Sequence, residues 1–385
     1  MSENLRELEK LRVGLLAGEE SGDLLGGELI RSFSRKHPRV EFFGLAGEQM
    51  ITNGCEPLAH INQLSVMGLM EVVKNYPKLY RLRSCLIRKI LEKKPDIVLG
   101  IDSPDFNLGV EFALRREGIK TVHYVGPQIW AWRGWRIKRL AKSIDKLLVL
   151  FPFEETYFSS HGIDCEFVGH PLADRIEIKR DKRQARQRLG LSDKSEILAI
   201  LPGSRTQEIS CMLKPMLEAA RLLTVERPRL FVLVCLARQL SDYKIPKISI
   251  DSNVEIMTGK SEDVFTAADV ALVCSGTATL EGALCGTPMV VGYKMTPLSY
   301  YMIRSMIKIQ HIALPNILSE AEIVPELIQK EMTPPAMAEK AMKWLVDIRA
   351  RENYKTNSRQ LHQSLRQDAS QRVVETIWNL AGTGE

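Results

Sequence analysis

At 385 residues the chain is too long for one hydrophobic core of ordinary size, and two domains of roughly 150–200 residues are expected. A hydrophobic content of 45% with 26% charged residues is that of an ordinary globular protein. No apolar run approaches the ~20 residues of a bilayer-spanning helix, which excludes an integral membrane class and leaves the membrane surface open. The charged stretch Ser2 to Lys10 has no apolar core of a signal peptide, and the seven cysteines are scattered without a C-x-x-C pair. Both features fit a reducing, cytosolic setting. The histidines show no metal-ligand spacing, so no metal is expected.

In chain order, Leu11 to Leu16 reads as the first buried strand, and Asp23 to Ser34 as a helix. The loop joining them, Ala17-Gly18-Glu19-Glu20-Ser21-Gly22-Asp23, carries three carboxylates that would repel a phosphate. Ser21 or Asp23 can cap the helix, and Gly22 with Gly18 can admit a sugar or lipid headgroup to the backbone. Val40 to Leu45 is a second strand. Leu64 to Val73 is then apolar on more than one helical face, with Val66, Leu69 and Val73 on one and Met67 and Met70 on another. The next helix, Lys78 to Lys94, has an ordinary core stripe. Between Lys74 and Lys94 lie eight basic residues against Glu92 alone. An apolar surplus beside a basic helix suits docking on an acidic bilayer, with simple burial as the equal alternative.

Asp96 to Ile101 is a further strand, and Pro104 stops it with Asp102 at its lip. A carboxylate there is ionised at neutral pH and can take a proton from a substrate hydroxyl; it can equally cap the following turn, though Asp105 is the better cap candidate. Thr121 to Val125 ends in Gly126-Pro127-Gln128-Ile129-Trp130-Ala131-Trp132-Arg133. Trp130, Trp132 and Arg133 together suit an amphipathic, anionic substrate, against the alternative of core packing. Arg133 to Lys146 adds a second basic run of six residues. Strands at Leu147 to Phe151 and Cys165 to Val168 complete a β-α-β alternation typical of a doubly wound parallel sheet.

After a charged connection near 170–190 the alternation restarts, with strands at Ile197 to Leu201, Leu230 to Leu236, Val254 to Met257, Val270 to Cys274 and Met289 to Gly292. Two of these end in matched loops. Leu201-Pro202-Gly203-Ser204-Arg205 closes the first, and Ser275-Gly276-Thr277-Ala278-Thr279-Leu280-Glu281 closes the fourth. Each reads as strand, tight Gly/Ser loop, helix. A helix N-terminus offers unpaired N–H groups and partial positive charge, so two at one sheet edge would cradle a diphosphate. Arg205 adds a planar, permanently charged fork. No D-x-D pair exists to chelate a metal, so these groups would carry the leaving-group charge.

Taken in order, these motifs resemble the lipid-A-disaccharide synthase family. The matching segments are the 17–23 loop, Val66-Met67-Gly68, Gly100 to Asn107, Trp130 to Arg133, Gly169-His170-Pro171, Leu201 to Arg205, Ser275 to Glu281, Val291 to Met295 and Leu314-Pro315-Asn316. Glu20, Gly126 and Gln128 depart from the family pattern and bear on acceptor binding. The resemblance implies an α/β GT-B fold: two Rossmann-like domains with an interdomain cleft and a C-terminal helical tail. Residues 1–172 would face the acceptor and the membrane, 173–345 would bind the donor, and 346–385 would pack back on the first domain.

The implied reaction is metal-independent, cofactor-free, inverting transfer from UDP-2,3-diacylglucosamine to 2,3-diacylglucosamine 1-phosphate, giving a β-1,6-linked disaccharide 1-phosphate and UDP. Asp102 matches the general base. Gly203, Ser204, Arg205, Glu208, Ser275, Gly276 and Thr277 match the donor site, with Glu281 toward the ribose and Asn316 positioning the donor. Ser21, Gly22, Trp130, Trp132 and Arg133 fall to the acceptor, and Val66, Met67, Leu69, Met70 and Val73 to the membrane. The implied setting is the cytoplasmic face of the inner membrane, with an anionic lipid surface as partner, no nucleic acid, and room for a homodimer. Two other readings compete: a UDP-sugar 2-epimerase of related architecture, and a non-enzymatic nucleotide-binding peripheral membrane protein.

Overall fold

The computed structural model describes residues 10–65, 72–131, 134–193, 195–240, 243, 254–295 and 309–382. The chain divides into two compact units, residues 1–171 with 366–385, and residues 172–365. Each is built on one parallel sheet, the outcome expected of apolar strands alternating with helices.

The first unit's strands are β1 (Leu11–Ala17), β2 (Val40–Ala46), β3 (Cys55–His60), β4 (Ile97–Ile101), β5 (Lys120–Tyr124), β6 (Lys146–Val149) and β7 (Cys165–Phe167). Their order is β3-β2-β1-β4-β5-β6-β7. β3 escapes the sequence pattern because Cys55–His60 is mostly half-exposed and carries Glu56 and Pro57. Between β1 and β4 the strand order reverses, so the connections leaving their carboxyl ends diverge and open a crevice. The inner strands are buried on both faces, with every residue of β4 enclosed.

The second unit's strands are β8 (Glu196–Leu201), β9 (Leu230–Leu236), β10 (Val254–Thr258), β11 (Val270–Cys274), β12 (Met289–Tyr293) and β13 (Glu326–Ile328), ordered β10-β9-β8-β11-β12-β13. Here the reversal falls between β8 and β11, the two strands whose loops carry the matched glycines. The helix Thr206–Glu226 packs Ile209, Met212, Leu213, Met216 and Leu223 onto β8, β9 and β11 as the core of this unit.

The tail divides. The helix Ile348–Leu365 belongs to the second unit, where Tyr354 is buried edge-on against Trp344 and Ser358 donates to the Ala283 carbonyl. Only the helix Ala369–Gly382 joins the first unit, stacking Trp378 on His37 at 3.6 Å and pairing Glu375 with Lys36 at 2.7 Å. Among the described residues no helix is long and apolar enough to cross a membrane.

Candidate active site

In the first unit the reversal point is occupied by Asp102 and Ser103, which follow β4 with φ of +52° and +45°. Non-glycine residues in this region are strained and survive only when surrounding contacts hold them. Here the contacts are explicit. The Asp102 N–H donates to the Tyr124 carbonyl at 2.9 Å. The Asn107 amide, fully buried, donates to the carbonyls of Leu16 (3.0 Å), Ile101 (3.2 Å) and Asp102 (2.8 Å), tying the ends of β1 and β4 together. Among the described residues nothing donates to the Asp102 carboxylate, which is half-buried at the lip. It does not cap the helix Pro104–Arg116: the cap position is Ser103, without a side-chain bond. Asp105, the expected cap, is paired with Arg136 instead.

The glycines of the 17–23 loop have a different use from the one their position suggested. A Cβ on Gly18 would lie 2.3 Å from Ser103 Cβ and Oγ, and one on Gly22 would lie 3.2 Å from the Ile101 carbonyl oxygen. They make room for the strained turn under Asp102. Ser21 is exposed on the first turn of the helix Glu20–Lys36, whose cap position is Glu19. Asp23 caps neither that helix nor a ligand: buried, it accepts from the N–H groups of Gly47 (2.8 Å), Gln49 (2.8 Å) and Met50 (3.1 Å) at the start of the next short helix.

Trp130 is anchored within the first unit. Its indole N–H donates to Glu154 at 3.0 Å, and its ring meets Phe153 edge-on at 4.8 Å. Glu154 is 2% exposed, and burial pushes its carboxyl up to about 8 despite the bonds from Trp130 and the Phe151 N–H. Trp132 and Arg133 lie outside the described residues, as do Val66, Met67, Leu69 and Met70, while Val73 falls in the helix Val72–Glu92.

In the second unit the two matched loops lie on adjacent strands, and a Cβ on Gly203 would come within 3.5 Å of Cys274 Sγ at the end of β11. Gly203 has φ +123° and Gly276 +149°, conformations closed to most side chains. The two helix termini differ sharply. Glu208 folds back to accept from the N–H groups of Ser204 (3.0 Å) and Arg205 (3.2 Å), so the first terminus is already capped. The Arg205 guanidinium sits 3.6 Å from Glu208 and is 82% exposed, free to swing toward an anion. The second terminus has no side-chain cap; Gly276 and Thr277 are exposed, and the space beside Gly276 is open. Ser275 donates to the Ile312 carbonyl at 2.7 Å.

Asn316 is fully buried and spends all four of its bonds inside the protein, donating to Val324 O and Glu326 and accepting from Ile323 and Val324 N–H, each at 2.8–2.9 Å. All four bonds hold the loop from Asn316 to Glu326 together. Glu326, for which the sequence offered no signal, accepts from the N–H groups of Ile312 and Ala313 at 2.9 Å and so joins Asn316 to Ser275. Glu281 accepts from Ser261 at 2.8 Å, and burial raises its carboxyl above the ordinary range. Among the described residues no cluster of three potential ligands could hold a metal.

The lipid-A-disaccharide synthetase family pattern matches residues 13–377. The chain belongs to this family. It is 42% identical over 380 residues to the lipid-A-disaccharide synthase of Xanthomonas campestris pv. campestris (strain 8004), covering 96% of this chain and 86% of that protein. As a family member it is a glycosyltransferase of lipid A disaccharide synthesis. The fold is that of GT-B enzymes. A crystal structure of the glycotransferase of kitacinnamycin superposes with TM-score 0.65 at 15% identity, covering 96% of this chain and 98% of its own. A UDP-GlcNAc 2-epimerase from Neisseria meningitidis, bound to UDP-GlcNAc, superposes with TM-score 0.67 at 14% identity, covering 96% and 100%. At such identities the likeness is one of fold, and the epimerase reading has nothing further behind it.

Proposed function

We propose that this family member transfers the 2,3-diacylglucosaminyl group of UDP-2,3-diacylglucosamine to the 6-hydroxyl of 2,3-diacylglucosamine 1-phosphate, with Asp102 as general base. The observation that carries this reading is Asp102 itself: a carboxylate with no partner among the described residues, on strained backbone, at the reversal point of a parallel sheet. Its carboxylate accepts the hydroxyl proton as the oxygen attacks the anomeric carbon. The bond from that carbon to the UDP oxygen breaks on the opposite face, so configuration inverts and UDP leaves. The charge growing on the diphosphate is met by the open helix terminus at Gly276–Thr277 and by the mobile fork of Arg205. Ser275 and Glu281 fit the donor site as loop anchor and ribose acceptor.

The test is to incubate the purified chain with both lipids in detergent and EDTA, following UDP release and product mass. Asp102→Ala is expected to lose activity by about a thousandfold with UDP affinity unchanged. Retention of activity in that variant removes Asp102 from the chemistry.

We also propose that the first unit rests on an anionic lipid surface. Trp135 is 75% exposed, Tyr80 62% and Phe112 40%. Phe112 and Trp135 line a shallow cavity of about 390 Å³ rimmed by Lys138, Arg139 and Lys142. Exposed aromatics among cations favour the interface of an acidic bilayer. Flotation with phosphatidylglycerol vesicles, lost on Trp135→Ala with Lys138→Ala, checks it; unchanged flotation assigns this face no such role.

A further inference from the structure

The second unit holds a cavity of about 610 Å³ that the reaction does not use. It is lined by Asp269, which stands directly before β11, and by Thr287 and Pro288, which stand directly before β12. The donor-side loops leave the other ends of these strands. Six residue steps of extended chain, at ~3.3 Å each, put Asp269 about 20 Å from Ser275. This cavity is therefore separate from the edge that carries Arg205 and Gly276.

Its walls are strongly basic. Lys179, Arg180 and Lys182 reach it from one segment, and Arg351, Lys355 and Arg359 from the helix Ile348–Leu365. The only carboxylate among its described lining residues, Asp269, is already engaged by Lys182 (2.6 Å), Arg186 (2.9 Å) and the Ile197 N–H (2.8 Å). Glu352, outside the lining, takes up Lys355 at 2.8 Å. A surplus of positive charge remains.

Arg180 is pre-set, donating to the carbonyls of Glu177 (3.0 Å) and Leu284 (2.9 Å), and Lys182 is held by the Ala268 carbonyl at 3.0 Å. Burial first, then the crowding of Arg186 and Lys355, holds the Lys182 ammonium below the ordinary lysine range. Bringing two distant basic segments onto one cavity costs stability through self-repulsion, and a bound polyanion would offset that cost.

We propose that this cavity binds an anion carrying two or more phosphate groups, as a second ligand site distinct from the donor edge. The volume lies in the ordinary range of small-molecule sites, and guanidinium forks match phosphate oxygens in pairs. The shared chemistry is a polyphosphate, whether from a soluble metabolite or the head of a phospholipid.

The test is calorimetric titration of the full chain with inorganic pyrophosphate, in wild type, in Arg351→Gln with Arg359→Gln, and in Arg205→Ala. Both cavity substitutions lie on a helix and keep its propensity; a melting curve checks the fold, and Lys179→Gln, outside any described helix or strand, gives a second variant. The double cavity variant is expected to lose one of two pyrophosphate-binding events by at least about tenfold, and Arg205→Ala to keep that event while weakening the one at the donor edge. No binding by wild type, or a loss confined to Arg205→Ala, overturns the proposal. Displacement of pyrophosphate by a soluble nucleoside triphosphate assigns the first source, and displacement by a short-chain cardiolipin, whose head carries two phosphates, the second.

Discussion

The two sheet reversal points solve different problems with different backbones. At the first, Asp102 and Ser103 are forced into left-handed conformations without glycine, and Val125, at the end of the neighbouring strand β5, has φ +79°. At the second, the comparable turns are given to Gly203 and Gly276, and no such strain arises at a side-chain-bearing residue of either loop. A base must present a side chain at one fixed place, so its backbone strain has to be held by neighbours. A phosphate cradle presents N–H groups, so glycine serves and the loop can stay open. The first edge is held by the buried Asn107 amide, whereas the second is held by Ser275 on Ile312 and by Glu208 on the Ser204 and Arg205 N–H groups.

Asn107 tests the first half of that contrast most strongly. Asn107→Ala leaves three buried carbonyls without their donor, for an expected loss of about 2–4 kcal/mol in denaturant unfolding. Activity should fall by at least about tenfold below that of a wild type compared at equal folded fraction, because Asp102 loses its tether. An activity loss that merely tracks unfolding would mean the strained turn holds itself.

Glu154 gives the first unit a pH signature of the same sign as that of Glu281 at the second edge, whose carboxyl burial also raises. Its folded carboxyl holds a proton up to about 8, while the ordinary value is 4.5, so the folded state binds more protons across that window. Stability must then fall as pH rises from 4.5 toward 8, by an amount on the order of a few kcal/mol. Glu154→Gln, which cannot ionise, should flatten this slope in thermal melts. An equal slope in both proteins would show that Glu154 ionises freely in the folded state.

Gly276 probes the open cradle. A Cβ there meets nothing, so Gly276→Ala carries only the backbone cost, about 1–2 kcal/mol. UDP affinity should nevertheless drop by roughly tenfold, since the methyl fills open space through which a phosphate approaches the uncapped terminus. Stability loss with unchanged UDP binding would move the diphosphate elsewhere.

Much of this was legible in the chain. Apolar strand runs ending in Asp102, Gly203 and Ser275 mark both sheet edges, because a buried parallel strand and its terminating turn leave a local imprint. What was not legible depends on partners distant in sequence. Nothing near Asn316 reveals that Glu326 and Val324 consume its bonds, or that Gly18 is small for the sake of Ser103. Two tryptophans beside arginines read as a binding cluster, yet Trp130 answers to Glu154, a residue 24 positions on. β3 and β13 are partly exposed strands whose pairing is supplied by neighbours and not by their own pattern.

The smallest effect is the most informative about the second edge. Glu208 shares a motif with the diphosphate loop, but its carboxylate occupies the two N–H groups that a phosphate would want. A bound diphosphate at this terminus has to displace it, and the two negative charges repel. Glu208→Gln keeps a weaker cap and removes the charge, so UDP should bind about two- to fivefold tighter, while stability drops by about 0.5–1 kcal/mol from the lost charge-assisted bonds. Titration calorimetry and a melting curve on the same sample read both. Weaker binding would instead make Glu208 a direct donor contact, and the difference between a closed and an open terminus would then belong only to the unliganded state.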